Sequence, residues 1–155
     1  MASVREIVES GPEEAQDALI RWAASQFASE NVAFLFAVRH YLLLATRQRQ
    51  FTRFFGTCLE AGGFIPRQYW GSCATMGRWI FDTFVRAGSP QEINISSSER
   101  QTLTVLANGH GSPFTPGDFT PAFNTIATML NSQYHAASTS SSNSSSLTSS
   151  SSSPK

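Results

Sequence analysis

Few residues of this chain are of types, at spacings, that could do chemistry. His110 stands between Gly109 and Gly111 and is followed by Ser112, which would put a base near a hydroxyl nucleophile. A nucleophile elbow needs Gly-x-Ser-x-Gly between a strand and a helix, and that context is absent, so the segment reads as a loop. His40 and His135 have no His, Cys or carboxylate at ligand spacing, and they read as ordinary histidines rather than metal ligands. Cys58 and Cys73 are too few for a disulfide framework and lack the second pair a zinc site needs, so both are read as buried, reduced thiols. No Gly-rich loop carries a phosphate-binding Lys, the chain's one Lys being Lys155, and neither a bound nucleotide nor any other cofactor is expected. No catalytic residue is assigned. What remains is one polar side chain offered from a turn, Asn94 within Glu92-Ile93-Asn94-Ile95.

Two helices must position that asparagine. Ile80, Phe81, Phe84 and Val85 recur at one-and-four spacing, which gives a helix whose apolar stripe ends against Gly88 as a left-handed C-cap, with Pro90 barring continuation. Ile93 and Ile95 then face one side of an extended connector and Asn94 the other, because side chains alternate along extended backbone. Ser96 and Glu99 have capping-box spacing, so a second helix is expected from Ser96, burying Leu103 and Leu106.

The rest of the chain carries the same helical periodicity. Ser10-Gly-Pro-Glu-Glu reads as a helix start, with Leu19, Trp22 and Ala23 forming a modest apolar side. Ser29, Glu30 and Asn31 open a helix in which Phe34, Leu35, Val38, Tyr41 and Leu42 form one face and Phe36 and Leu43 widen it, the pattern of a central, buried helix. A third amphipathic helix is expected from Arg47 to Glu60, stopped by Gly62-Gly63, and Gly63 to Gly77 reads as a loop. Asn108 to Gly117 is punctuated by Gly and Pro and is also a loop. Thr120 as N-cap and Pro121 at the first helical position then start a helix through about Gln133.

With 155 residues, 41% of them hydrophobic and 12% aromatic, the chain suits one domain with a substantial core. The formal charge is zero, so nothing global points to nucleic acid or an anionic membrane. Residues 1–38 carry two Arg against six acids, whereas residues 39–86 carry seven Arg against Glu60 and Asp82. That middle run reads as Arg stems packed on the core with solvated heads. Charges in the first eleven residues leave no apolar signal core, and the apolar run Val32–Val38 is cut by Arg39 and His40, so a cytoplasmic protein without a transmembrane segment is expected. Residues 138–155 contain twelve Ser between Ser138 and Pro154 and a single large apolar residue, Leu147, and are expected to be disordered because they cannot offset chain entropy by burial.

Three ordered blocks give a family resemblance. Glu92-Ile93-Asn94-Ile95 with Arg100, the run Ser25-Gln-Phe-Ala-Ser-Glu-Asn-Val-Ala-Phe-Leu35, and the late-helix set Phe119, Ala122, Ile126, Met129 and Leu130 resemble the regulator of G-protein signalling (RGS) domain. The likeness covers 19–134 within a domain of residues 1–137, with an enlarged connection around 47–77. It implies an all-α, RGS-like helical bundle in which the Ser29 helix is packed by the Trp79 and Thr120 helices. It also implies a function: binding the Gα subunit of a heterotrimeric G protein at the inner face of the plasma membrane and speeding its GTP hydrolysis. Carried over residue by residue, Asn94 would contact the Gα switch region, with Glu30, Asn31 and Met129 beside it. The sequence departs from the family's pattern at Ala28, Ser96, Gln133 and Ala137, where the family has a serine, an aspartate, an acid and a base. Upstream of Leu19 only one short helix is expected, so the late helix would lack terminal partners. The alternative reading is an RGS-like interaction module that binds without activating hydrolysis.

Overall fold

The computed structural model describes residues 1–46, 73–109 and 114–143. Among them the chain is all-α, with six α-helices and no strand: α1 (Val4–Ser10), α2 (Glu13–Ser25), α3 (Ser29–Ala45), α4 (Cys73–Ile80), α5 (Ser97–Asn108) and α6 (Thr120–Asn143). The expected helix at Arg47–Glu60 and most of the 47–77 connection lie outside the described residues, as do Cys58, His110 and Ser112.

Helix α3 is the axis of the core, as its broad apolar stripe predicts. Val32 to Val38 are all buried, and Phe34 meets Phe84 edge-on at 5.9 Å. The stripe is not complete, since Leu42 is 45% exposed. Helices α4 and α6 pack against α3, as do α1 and α2. Residues Cys73–Gly77, expected in a loop, form the first turns of α4. Gly77 has a steric reason to be glycine, because a Cβ there would come within 2.5 Å of the Phe114 Cβ and 3.0 Å of the Tyr41 hydroxyl. The contact is tight because Phe114 is wedged between Phe81, stacked at 5.6 Å, and Phe119 at 5.2 Å.

Helix α1 was not expected. It is seven residues long, too short to show a clear helical period, but Ser3 and Glu6 form a reciprocal capping box and Val4, Ile7 and Val8 are buried. It packs on α6: the Val4 N–H donates to Asn131 Oδ1 at 3.0 Å, and the Arg5 guanidinium to Asn124 Oδ1 at 3.0 Å. The late helix therefore has a terminal partner, contrary to the sequence-based expectation.

Two helix ends also differ. The helix carrying Phe81 does not run to Gly88 but widens into a π-helical turn, Phe81–Val85, closed by the Arg86 N–H on the Phe81 carbonyl at 2.9 Å. Gly88 keeps its left-handed backbone, φ +75°, in the turn that follows, where the Ser89 N–H reaches the Arg86 carbonyl at 3.0 Å. At the other end α6 extends to Asn143, so 138–143 are helical rather than disordered. The hydroxyls of Ser138, Thr139 and Ser140 bond carbonyls one turn back, a local pairing that lets a packed helix continue into a Ser-rich stretch. Thr120 is already helical, and the capping role falls to Thr115, ahead of a 3-10 turn at Pro116–Phe119.

Two Arg of the middle run place their guanidinium groups on the core rather than only their stems. Arg78 and Arg86 both lie over the Phe81 ring at 5.7 Å, and Arg78 also reaches the Ala107 carbonyl at 2.9 Å. No helix among the described residues is long and apolar enough to cross a membrane.

Candidate functional site

The connector between the π-turn and α5 is fixed before it offers anything. The Gln91 N–H donates to the Thr83 carbonyl at 3.1 Å and the Ile93 N–H to the Phe84 carbonyl at 2.9 Å, so the segment is tied back to the end of the preceding helix. Ile93 is 1% exposed and Ile95 9%, while Asn94 between them is exposed, the alternation expected from the sequence. The Ile95 N–H reaches the Ile93 carbonyl at 3.2 Å, closing a three-residue turn with Asn94 at its apex.

Arg100 is the clamp on this turn. Its guanidinium donates to the Val85 carbonyl and, at 3.0 Å, to the Ile93 carbonyl, and it pairs with the Glu92 carboxylate at 3.2 Å. Glu92 in turn accepts from the Gly88 N–H at 2.8 Å. One side chain on α5 thus bonds both ends of the connector, and the planar fork of Arg suits that job better than a Lys point charge. α5 is held at its start by Ser96, whose hydroxyl accepts from the Glu99 N–H at 3.2 Å while the Glu99 carboxylate accepts back from Ser96. Burial pushes the Glu99 carboxyl up, but hydrogen bonds from Thr125 and from the Ser96 hydroxyl and N–H outweigh it and hold the group below its usual range. Leu103 is buried as expected, but Leu106 is 43% exposed.

The four residues singled out from the sequence meet here. Asn31 Oδ1 accepts from the Asn94 N–H at 3.4 Å, Asn31 Nδ2 donates to Glu30 Oε1 at 3.2 Å, and Asn94 Nδ2 lies 3.8 Å from the Met129 sulfur. Three elements far apart in sequence, the start of α3, the connector and the middle of α6, thus converge on one asparagine. Their exposures assign different parts to them. Asn94 is exposed and Glu30 and Met129 are half-buried, whereas Asn31 is only 5% exposed. Asn31, read from the sequence as a contact, sits beneath the surface and holds up the Asn94 backbone.

The chemistry this arrangement offers is recognition. An amide held on a rigid turn presents a donor pair and an acceptor, a carboxylate adds negative charge, and Met129 adds a polarizable apolar wall. Gln133 is exposed one turn beyond Met129 and Ala137 is half-buried one turn beyond that, so these three positions of α6 bear no charge. Among the described residues no three His, Cys, Asp or Glu come together as a metal-binding group.

A residue to which the sequence reading gave no role stands out ahead of α3. Phe27, in the turn before α3, is 93% exposed and holds φ +54°, the one non-Gly positive φ among the described residues. An aromatic side chain in left-handed backbone costs about 1–2 kcal/mol, and solvation of a benzyl group gives nothing back. No periodicity marks it, because it lies between helices; only the placement of an apolar ring in a turn hinted at it. Comparison with known protein families, with curated proteins and with solved structures finds no match to this chain.

Proposed function

We propose that this protein binds the Gα subunit of a heterotrimeric G protein through the surface around Asn94 and promotes GTP hydrolysis as RGS domains do. The observation that carries the reading is the convergence of Glu30, Asn31, Asn94 and Met129, drawn from three elements and linked by contacts of 3.2–3.8 Å. Exposed Phe27 supports it as an aromatic anchor, since aromatic side chains dominate binding energy where they enter a partner's pocket.

The chemistry needs no catalytic group on this side of the interface. A Gα carries its charge-stabilising Arg in cis and a Gln that orients the attacking water, and its rate is limited by how well mobile switch segments hold these in place. A rigid partner that fits the reactive arrangement better than the relaxed one shifts that equilibrium by its differential affinity, and the shift appears as rate. Asn94 suits such a role because the Arg100 clamp and the Asn31 bond fix its backbone before any partner arrives. Such a complex would form at the cytoplasmic face of the membrane that holds the G protein.

The uncharged stripe at Gln133 and Ala137 favours a second reading, a module that binds without accelerating. Single-turnover GTP hydrolysis by Gα subunits, with increasing amounts of this protein, separates the two. Acceleration supports the activator; binding to the transition-state form without acceleration supports the module; no binding to any Gα form refutes both.

A further inference from the structure

We propose that Thr115 is a phosphorylation site for a proline-directed serine/threonine kinase and that its modification releases the turn leading into α6. The inference does not depend on the Gα reading. Five of the chain's seven prolines follow Ser or Thr, and three of those pairs, Ser89-Pro90, Thr115-Pro116 and Thr120-Pro121, have a described hydroxyl-bearing residue. The structure distinguishes them. The Ser89 Oγ is buried with no hydrogen-bond partner among the described residues. Thr120 is exposed but already helical, φ −57° and ψ −44°, so a kinase would have to unwind the first turn of α6 to straighten it. Thr115 is exposed and extended, φ −112° and ψ 157°, which is the backbone a following proline favours and an extended peptide cleft accepts.

What Thr115 holds gives the modification a consequence. Its N–H and its hydroxyl both donate to one oxygen of the Asp118 carboxylate, at 2.7 and 3.0 Å. The preceding Phe114 carbonyl accepts from the Tyr41 hydroxyl, and Phe119 at the end of the turn is fully buried. In the transfer, the Thr115 oxygen attacks the terminal phosphorus of ATP. The new O–P bond forms as the bond to the ADP oxygen breaks, ADP departs, and the hydroxyl proton passes to the kinase's base. The product carries about two negative charges at neutral pH and has lost its O–H donor. Those charges fall beside the Asp118 carboxylate, and a contact that closed the turn becomes repulsive.

The test uses the full chain with Ser112→Ala and Ser153→Ala, which leaves Ser89, Thr115 and Thr120 as the Ser/Thr-Pro pairs. It is incubated with a purified proline-directed kinase and magnesium ATP, mapped by mass spectrometry, and followed by hydrogen exchange. Phosphate is expected on Thr115 at least tenfold faster than on Ser89 or Thr120, with exchange of the 115–120 amides accelerated at least tenfold. In Asp118→Asn the acceleration on phosphorylation should be several-fold smaller. Equal or preferred labelling of Ser89 or Thr120, or none of Thr115, overturns the site. Unchanged exchange in the phosphorylated protein, or equal acceleration in Asp118→Asn, overturns the release.

Discussion

Replacing Phe27 by Gly separates what the ring does for the fold from what it does for a partner. The side chain is 93% exposed, so of the roughly 200 Å² an aromatic side chain offers only about 14 Å² is buried, worth about 0.4 kcal/mol. Against that, Gly removes about 1–2 kcal/mol of left-handed strain while adding about 0.5–1 kcal/mol of chain entropy to the unfolded state. The net lies between about 0.4 kcal/mol of loss and 1.1 kcal/mol of gain, which for a chain of this size keeps the melting temperature within about 4 °C of the parent. Binding should respond differently. An aromatic anchor seated in a partner's pocket is worth about 2 kcal/mol or more, so affinity for the transition-state form of Gα should fall about thirtyfold. Thermal unfolding followed by circular dichroism measures the first and titration against Gα the second. A loss of melting temperature well beyond that range would mean the ring is packed in the fold, and unchanged affinity would remove Phe27 from the interface.

Four further outcomes are expected. Asn94→Ala should weaken binding to transition-state Gα by about 1–3 kcal/mol, the penalty for partner groups left unpaired, with helical content unchanged by circular dichroism; unaltered affinity would refute the site. Arg100→Gln should lower stability in urea unfolding by about 1.5–3 kcal/mol, because it removes a charged donor shared by the Val85 and Ile93 carbonyls, and a neutral result would show that the clamp is idle. Burial pushes the Tyr41 hydroxyl up to about 12, with Cys73 and Asp118 adding to the shift. The fold therefore favours the neutral phenol, so this contribution to stability is complete below pH about 10 and is lost as pH rises toward 12. Unfolding scans across that window should show the loss, and Tyr41→Phe should flatten it. Finally, on the proposed Gα reading, the unaltered chain should accelerate hydrolysis weakly compared with an RGS domain that carries an acid and a base at these positions, and Gln133→Asp with Ala137→Arg should raise the rate at a cognate Gα; strong acceleration by the parent would refute the reasoning.

What the sequence made legible follows the range of its signals. Helix α3, the alternation of Ile93, Asn94 and Ile95, and the Ser96 cap rest on residues within one turn of each other, and each stands in the structure as expected. The π-turn at Phe81–Val85 was not legible, because one-and-four apolar spacing fits an ordinary helix equally well and only the Phe81 carbonyl bonding to the Arg86 N–H distinguishes the two. α1 was missed because seven residues hold too few apolar positions for a period, although Ser3 and Glu6 carried the cap signal. The extension of α6 through Ser138–Asn143 runs against composition, which registers the lack of apolar residues but not hydroxyls that bond the preceding turn. That Asn31 is buried beneath Asn94 while Glu30 is half-buried was not legible either, since nothing local to Glu30 and Asn31 tells which of two adjacent side chains turns inward.

The presence of α1 changes the physical cause expected for weak activation. If α6 had no partner at its far end, its residues would be held loosely, and a poor rate would reflect disorder of the contact surface. In the structure α6 is bonded through Asn124 and Asn131 to α1, and Tyr134 meets Trp22 of α2 edge-on at 5.0 Å. Met129 and Gln133 therefore lie between fixed points of the helix, and Ala137 lies one turn past the last of them. On the proposed Gα reading, looseness is then no reason for a poor rate, and what remains is charge. Charges on a partner that are desolvated without a counterpart cost a few kcal/mol, and that loss falls on the transition-state complex and so on the rate. An acid supplied at 133 would stand between those anchors, and a base at 137 would continue the same helix face. If the proposed Gα reading holds, the double substitution, rather than any change that stiffens the termini, should raise the rate of hydrolysis.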